Sequence, residues 1–212
     1  MNELFSFFLV VFTSFFTLMN PLGIMPVFLK MTENLEEQQR KATARKAVIT
    51  SFLALMFFAF TGNVLFDFFG ISINGLRVVG GILFFGMGFD MLNARLSSSK
   101  IREEDIKSYV TDISITPLAI PMITGPGSIT NSIILMRDAE TIESKAILIF
   151  AVIVLMLLIY TILAYSCKLV KFIGETGNLV LMRIMGLIVM VIAVEFFIAG
   201  AKPIIQDFIT GV

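Results

Sequence analysis

Asn20-Pro21-Leu22-Gly23-Ile24-Met25-Pro26 lies inside the first long apolar run of the chain. Pro117-Leu118-Ala119-Ile120-Pro121, followed by Thr124-Gly125-Pro126-Gly127-Ser128, lies inside a later one. A proline within a helix removes a backbone hydrogen bond and clashes with the preceding turn, and no helix passes through Gly-Pro-Gly undisturbed. In hydrocarbon the freed backbone groups cannot face lipid, because each would stand unsatisfied at a cost of several kcal/mol. They must face protein or a watery cavity. The half-helix that restarts after each break aims backbone N–H groups and a positive dipole end into that cavity, which suits a carboxylate. Unwound carbonyls beside it suit an ammonium group or a cation. One proline in a membrane helix merely kinks it. Two clusters at matching places in two halves of a chain point instead to a transport site.

The rest of the chain supports a membrane setting. Of 212 residues, 57% are hydrophobic and only 15% are charged. A span needs ~20 apolar residues, and a soluble domain rarely has so little polar cover. This composition excludes a disordered chain, and a single cysteine, Cys167, excludes a disulfide scaffold. Sixteen Lys and Arg balance sixteen Asp and Glu, so there is no basic excess to bind nucleic acid. His is absent, which removes the usual zinc ligand and the usual general base. No metal site and no cofactor are expected. Trp is absent too, so span ends are set by charges rather than by an aromatic belt. Met1-Asn2-Glu3 lacks the basic residues of a signal peptide, so the first run is expected to be a retained span.

Six spans are expected, at about 4–29, 47–69, 73–92, 113–136, 146–167 and 179–201. Asn34 and Glu37 have the spacing of a capping box, so span two is expected to start as a helix already in water. Gly70 and Ser72 mark a short turn. With six crossings, eleven Lys and Arg lie on one side, in the loops after spans one, three and five, against three on the other, Arg137, Lys145 and Lys202. The positive-inside bias then places basic loops 30–46 and 93–112 in the cytoplasm and both termini outside.

Six spans divide into three and three, with opposite orientation in the second half. The halves match weakly: Asn20-Pro21-Leu22-Gly23-Ile24 with Thr116-Pro117-Leu118-Ala119-Ile120, and Arg77-Val78-Val79-Gly80 with Arg183-Ile184-Met185-Gly186. Asp90 and Glu195 follow the two arginines at similar distances. The expected architecture is an all-α membrane protein of two inverted three-helix repeats, at about 3–92 and 113–201, joined by a linker at about 93–112 within one domain covering 1–212. Spans one and four are broken near mid-membrane.

At these residues the chain resembles the MarC family, also called the neutral amino acid transporter family. The resemblance covers nearly the whole length and rests on Asn20-Pro21-Leu22-Gly23 with Pro26, on Pro117 to Pro121 leading to Gly125-Pro126-Gly127-Ser128, and on Arg77 with Gly80-Gly81 and Arg183 with Gly186. It implies a six-span protein of the bacterial inner membrane and, for some members, transport of small neutral amino acids such as glycine and alanine. Asn20, Pro21, Leu22, Gly23, Thr124, Gly125, Pro126, Gly127, Ser128 and Asn131 are the candidate substrate-binding residues.

Charged residues inside spans are the candidates for gating or coupling to a proton or sodium ion. Arg77 and Arg183 are either gate residues or long side chains that snorkel to the interface. Glu195, between Val194 and Phe196, is a candidate proton carrier. Asp90 is its counterpart at a span end, where a solvated face is the plainer reading. The 22 Phe and 13 Met read as packing and lipid-facing residues.

Two other functions compete with a carrier. Gly86-Met87-Gly88-Phe89-Asp90 resembles the G-x-G-D of intramembrane aspartyl proteases, but Phe89 breaks the spacing and no second Asp stands in a Tyr-Asp setting. A Ser-His dyad is impossible without His, so an enzyme is not expected. A channel or passive exporter could use the same breaks. An inverted repeat favours a carrier, since two inverted halves rock about one site.

Overall fold

The computed structural model describes residues 3–93, 110 and 112–210. The linker charges Arg95, Lys100, Arg102, Glu103, Glu104, Asp105 and Lys107 lie outside the described residues. Among the described residues the chain is all helix apart from short connections.

Span one is two helices, α1 (Glu3–Met19) and α2 (Pro21–Met31), which together form one apolar segment of 29 residues. The join is a single residue. Asn20 takes a left-handed conformation, φ 43° and ψ 66°, which Asn tolerates better than other side-chain-bearing residues. Its N–H still donates to the Phe16 carbonyl at 3.0 Å, closing α1. Its side-chain oxygen accepts from the Gly23 N–H at 3.2 Å, opening α2. Pro21 takes the first helical position, where its missing N–H costs nothing.

Span two belongs to α3 (Glu37–Phe69), 33 residues long. At ~1.5 Å per residue this exceeds the ~30 Å hydrocarbon core, so its first turns stand outside it. The cap differs in register from the sequence expectation. The reciprocal pair is Glu36 with Gln39, whose side-chain oxygen accepts from the Glu36 N–H at 3.0 Å; Asn34 lies two residues too early. Arg40 is half-buried and donates to the Thr32 carbonyl at 3.1 Å, to the Leu35 carbonyl at 2.7 Å and to the Cys167 sulfur. It ties the loop after span one to the end of span five.

Gly70 closes α3 at φ 62° and Ser72 caps the next helix through the Gly75 N–H at 2.9 Å. Helix α4 (Ile73–Leu92) is span three. Span four is the bent one. Its first part, α5 (Ser114–Ile123), is wide-turned, with Thr116 and Ile120 extended. Each of these precedes a proline, where the α conformation is disfavoured, and both X-Pro bonds are cis. Its second part, α6 (Pro126–Asp138), meets the first at 59°. Helix α7 (Ile142–Thr210) holds spans five (Ile142–Lys168) and six (Leu179–Gln206), separated by Gly174 at φ 76°.

Span five buries Leu148, Val152, Leu155, Ile159 and Leu163 at helical spacing against Val11, Phe15 and Met19 of α1 and Ala47 and Leu55 of α3. Phe66 of α3 packs with Ile129 and Ile133 of α6. Spans three and six pack through glycines. A side chain at Gly88 would stand 2.8 Å from the Gly186 carbonyl, one at Gly81 2.7 Å from the Ala193 carbonyl, and one at Gly200 2.5 Å from the Asn74 carbonyl. The partners run in opposite order along the chain, so the two helices are antiparallel.

Candidate functional site

The break in span one opens onto a cavity. Asn20, Gly23, Leu18, Met19 and Ile24 line it from span one, Phe84, Met87 and Met91 from span three, Met122 from span four, and Val189 and Ile192 from span six. Its volume is about 40 Å³. A drug-sized pocket takes ~300–1,000 Å³, so only a very small ligand fits unless the walls move.

Asn20 is the cavity's chief polar side chain. The Gly23 N–H donates to the Asn20 backbone carbonyl at 2.9 Å and also points at the side-chain amide at 3.2 Å, so the amide end facing it is the oxygen, since an NH2 there would set donor against donor. The amide nitrogen is the end left over; it is buried and has no partner. An unpaired buried donor costs ~1–3 kcal/mol, and in a packed fold it calls for an explanation. Gly23 is required here, since a Cβ would stand 2.5 Å from that nitrogen. Met122 of α5 lines another wall, next to a break where the Thr124 N–H donates to the Ala119 carbonyl at 2.8 Å and Pro126 offers no N–H.

The other expected residues fall into two groups. Pro21 is buried beside Asn20, whereas Leu22 is 47% exposed and points away from the bundle. Thr124, Gly125, Pro126, Gly127 and Ser128 are all buried at the start of α6, but none of them lines the cavity. The Thr124 hydroxyl donates to the Ser51 carbonyl at 3.2 Å, fixing the bend to span two. The Ser128 hydroxyl reaches back toward the Ile123 carbonyl at 3.4 Å. Asn131 is half-buried and donates to the Ser14 hydroxyl at 3.2 Å, clamping α6 to α1 rather than facing the cavity.

The charged candidates do not converge on the cavity. Arg77 is half-buried where span three passes Gly200. Asp90, Arg183 and Glu195 are exposed on the outside of the bundle. Of the five unbent spans, span six is the least enclosed, with 17% of its most apolar stretch buried against 39% for spans two and five.

Phe84, Met87, Met91 and Met122 line the cavity and have no local signature in the sequence. They come from a chain with 22 Phe and 13 Met, most of them packing residues.

Residues 5–205 match the family described as MarC family integral membrane protein. The chain belongs to the MarC family. Its relatives share its length as well as its sequence. It is 39% identical over 202 residues to a UPF0056 membrane protein of Pyrococcus horikoshii, covering 95% of this chain and 98% of that one. It is 39% identical over 202 residues to the UPF0056 membrane protein YvbG of Bacillus subtilis, covering 94% of this chain and 96% of that one. A UPF0056 membrane protein of Aquifex aeolicus is 29% identical over 208 residues, with 97% of each chain covered. No solved structure matches the chain. Membership in the MarC family fixes it as a multi-pass integral membrane protein, consistent with a role in membrane transport.

Proposed function

We propose that this MarC-family protein is a secondary transporter of small neutral amino acids, or of similar small polar metabolites, working by alternating access. It is not an enzyme, and it works in the inner membrane with both termini outside. The observation that carries this reading is the buried, unpartnered amide nitrogen of Asn20 at the edge of a cavity formed by a helix break. A carboxylate would satisfy it. A backbone carbonyl of the break in span four, where Pro126 offers no N–H, would accept from an ammonium group. A small zwitterion carries both groups, and the small cavity favours a short side chain.

The small size of the cavity favours a carrier over an open channel. Coupling to a proton or sodium ion belongs to the same reading, with Glu195 and Asp90 as acids standing outside the cavity and Arg77 and Arg183 at the span ends. Counterflow tests it. Labelled glycine, alanine and serine are offered to proteoliposomes loaded with the unlabelled amino acid, against protein-free vesicles. Saturable exchange is expected, with mutual inhibition among the three. Absence of exchange by folded, inserted protein would separate this architecture from amino acids.

A further inference from the structure

Helix α6 starts in the interior. Gly125 to Ser128 are buried, and the capping position is Gly125, which has no side chain to offer. The N–H groups of Gly127 and Ser128 have no acceptor within their own helix. A buried helix start of this kind is a seat for an anionic group. Two phenyl rings pack against this first turn. A Cβ at Gly125 would fall on the tip of the Phe84 ring, and one at Gly127 on the tip of the Phe196 ring. The rings meet edge to face, with centroids 6.5 Å apart and planes at 85°. Glycine at 125 and 127 is what lets the rings come so close to the backbone.

Phe84 also lines the Asn20 cavity. One side chain therefore touches both halves of the expected site and stands between them. On one side is the unpaired Asn20 amide nitrogen; on the other are the free N–H groups of α6. With the ring in this place the Asn20 amide nitrogen meets no acceptor.

We propose that Phe84, braced by Phe196, is the gate of the substrate site. A change of its χ1 rotamer joins the Asn20 cavity to the start of α6, and the substrate carboxylate then binds the Gly127 and Ser128 N–H groups together with the Asn20 amide. This inference rests on the transport reading for the identity of the ligand, but the movement of the ring does not.

The test therefore uses no substrate. In a Cys167→Ser background, Ser128→Cys is reacted in detergent with a charged, water-soluble methanethiosulfonate reagent. With Phe84 present the reaction is slow. In Phe84→Ala it is expected to run at least ~10-fold faster, because an open state populated at ~0.1–10% becomes the standing one. A second reporter, Ser132→Cys, lies one turn further along α6 and is equally buried; its rate is expected not to change. Equal rates at residue 128 with and without Phe84 would overturn the gate. So would acceleration at both reporters, which would mean general loosening. If Phe84→Ala does not fold, Phe84→Leu keeps apolar bulk but loses the flat tip at Gly125, and it is expected to accelerate labelling at residue 128 alone; no acceleration in that variant overturns the gate equally. Failure of either kind leaves the amino-acid reading to its own counterflow measurement.

Discussion

Asn20 serves two purposes with one side chain, and substitutions can separate them. Its oxygen caps α2 through Gly23, and its nitrogen is unpaired. Asn20→Asp keeps the cap and the tolerance for a left-handed backbone, but it replaces the free donor with an acceptor that carries charge. The protein is expected to fold while glycine counterflow falls at least ~10-fold, the equivalent of losing a hydrogen bond to a charged group worth ~1.5–3 kcal/mol. Asn20→Ala removes the cap as well, which adds a stability loss of ~1 kcal/mol visible as a lower thermal unfolding temperature in detergent. Normal counterflow in Asn20→Asp would remove the amide nitrogen from the site. Asn20 could be found in the sequence because Pro21 and Gly23 flag a break there. Phe84 could not: a phenylalanine gate differs from a packing phenylalanine only by what stands opposite it. Asn131 shows the converse. Its place one turn after Gly-Pro-Gly suggested a cavity residue, and only the position of Ser14 on another helix reveals a clamp.

At the scale of elements, proline and glycine announced both breaks, but not their inequality. Span one is interrupted by one left-handed residue, whereas span four turns through 59°. The difference lies in proline spacing. Pro21 sits at a helix start, where proline is at home, and α2 continues through Pro26; before Pro117 and Pro121, four residues apart, Thr116 and Ile120 are extended. The glycines of span three point in the sequence to a close helix approach, but not to which span it meets. No G-x-x-x-G occurs, and the close approach uses Gly81 and Gly88 on one helix with Gly186 and Gly200 on the other. Two neighbouring glycines of α4 make opposite predictions. Gly88→Ala would place a methyl 2.8 Å from the Gly186 carbonyl, so it is expected to cost ~1–3 kcal/mol through overpacking. Gly86→Ala meets nothing within 4 Å and is expected to be neutral or to stabilise by up to ~1 kcal/mol, since alanine suits a helix better than glycine. Thermal unfolding of the two variants side by side checks both. Equal losses would mean that spans three and six do not approach closely at these glycines.

For the whole molecule, the charge pattern leaves one choice open on which the packing bears. If the bent pair α5–α6 crosses the membrane, there are six spans; if it turns back, there are five. Counting Lys and Arg by loop gives eleven against three for six spans and twelve against two for five, so the positive-inside rule accepts both. The two arrangements differ in the relation between spans three and six. Six crossings make them antiparallel, and five make them parallel. Gly88 opposite Gly186 and Gly200 opposite Asn74 require the antiparallel pair, and a bend of 59° falls well short of a reversal. The consequence can be read in right-side-out vesicles, with single cysteines in a Cys167→Ser background and a maleimide that cannot cross the bilayer. Ile71→Cys follows span two and Thr141→Cys follows span four, and both positions are exposed. Six spans place them on the same side, and the charge bias places that side outside, so both are expected to label. Asn34→Cys, exposed in the basic loop after span one, is expected to label only after the vesicles are opened. Labelling of Ile71→Cys without Thr141→Cys would make α5–α6 a re-entrant hairpin, contradict the antiparallel pairing of spans three and six, and leave the inverted repeat expected from the sequence, on which a rocking mechanism depends, without support.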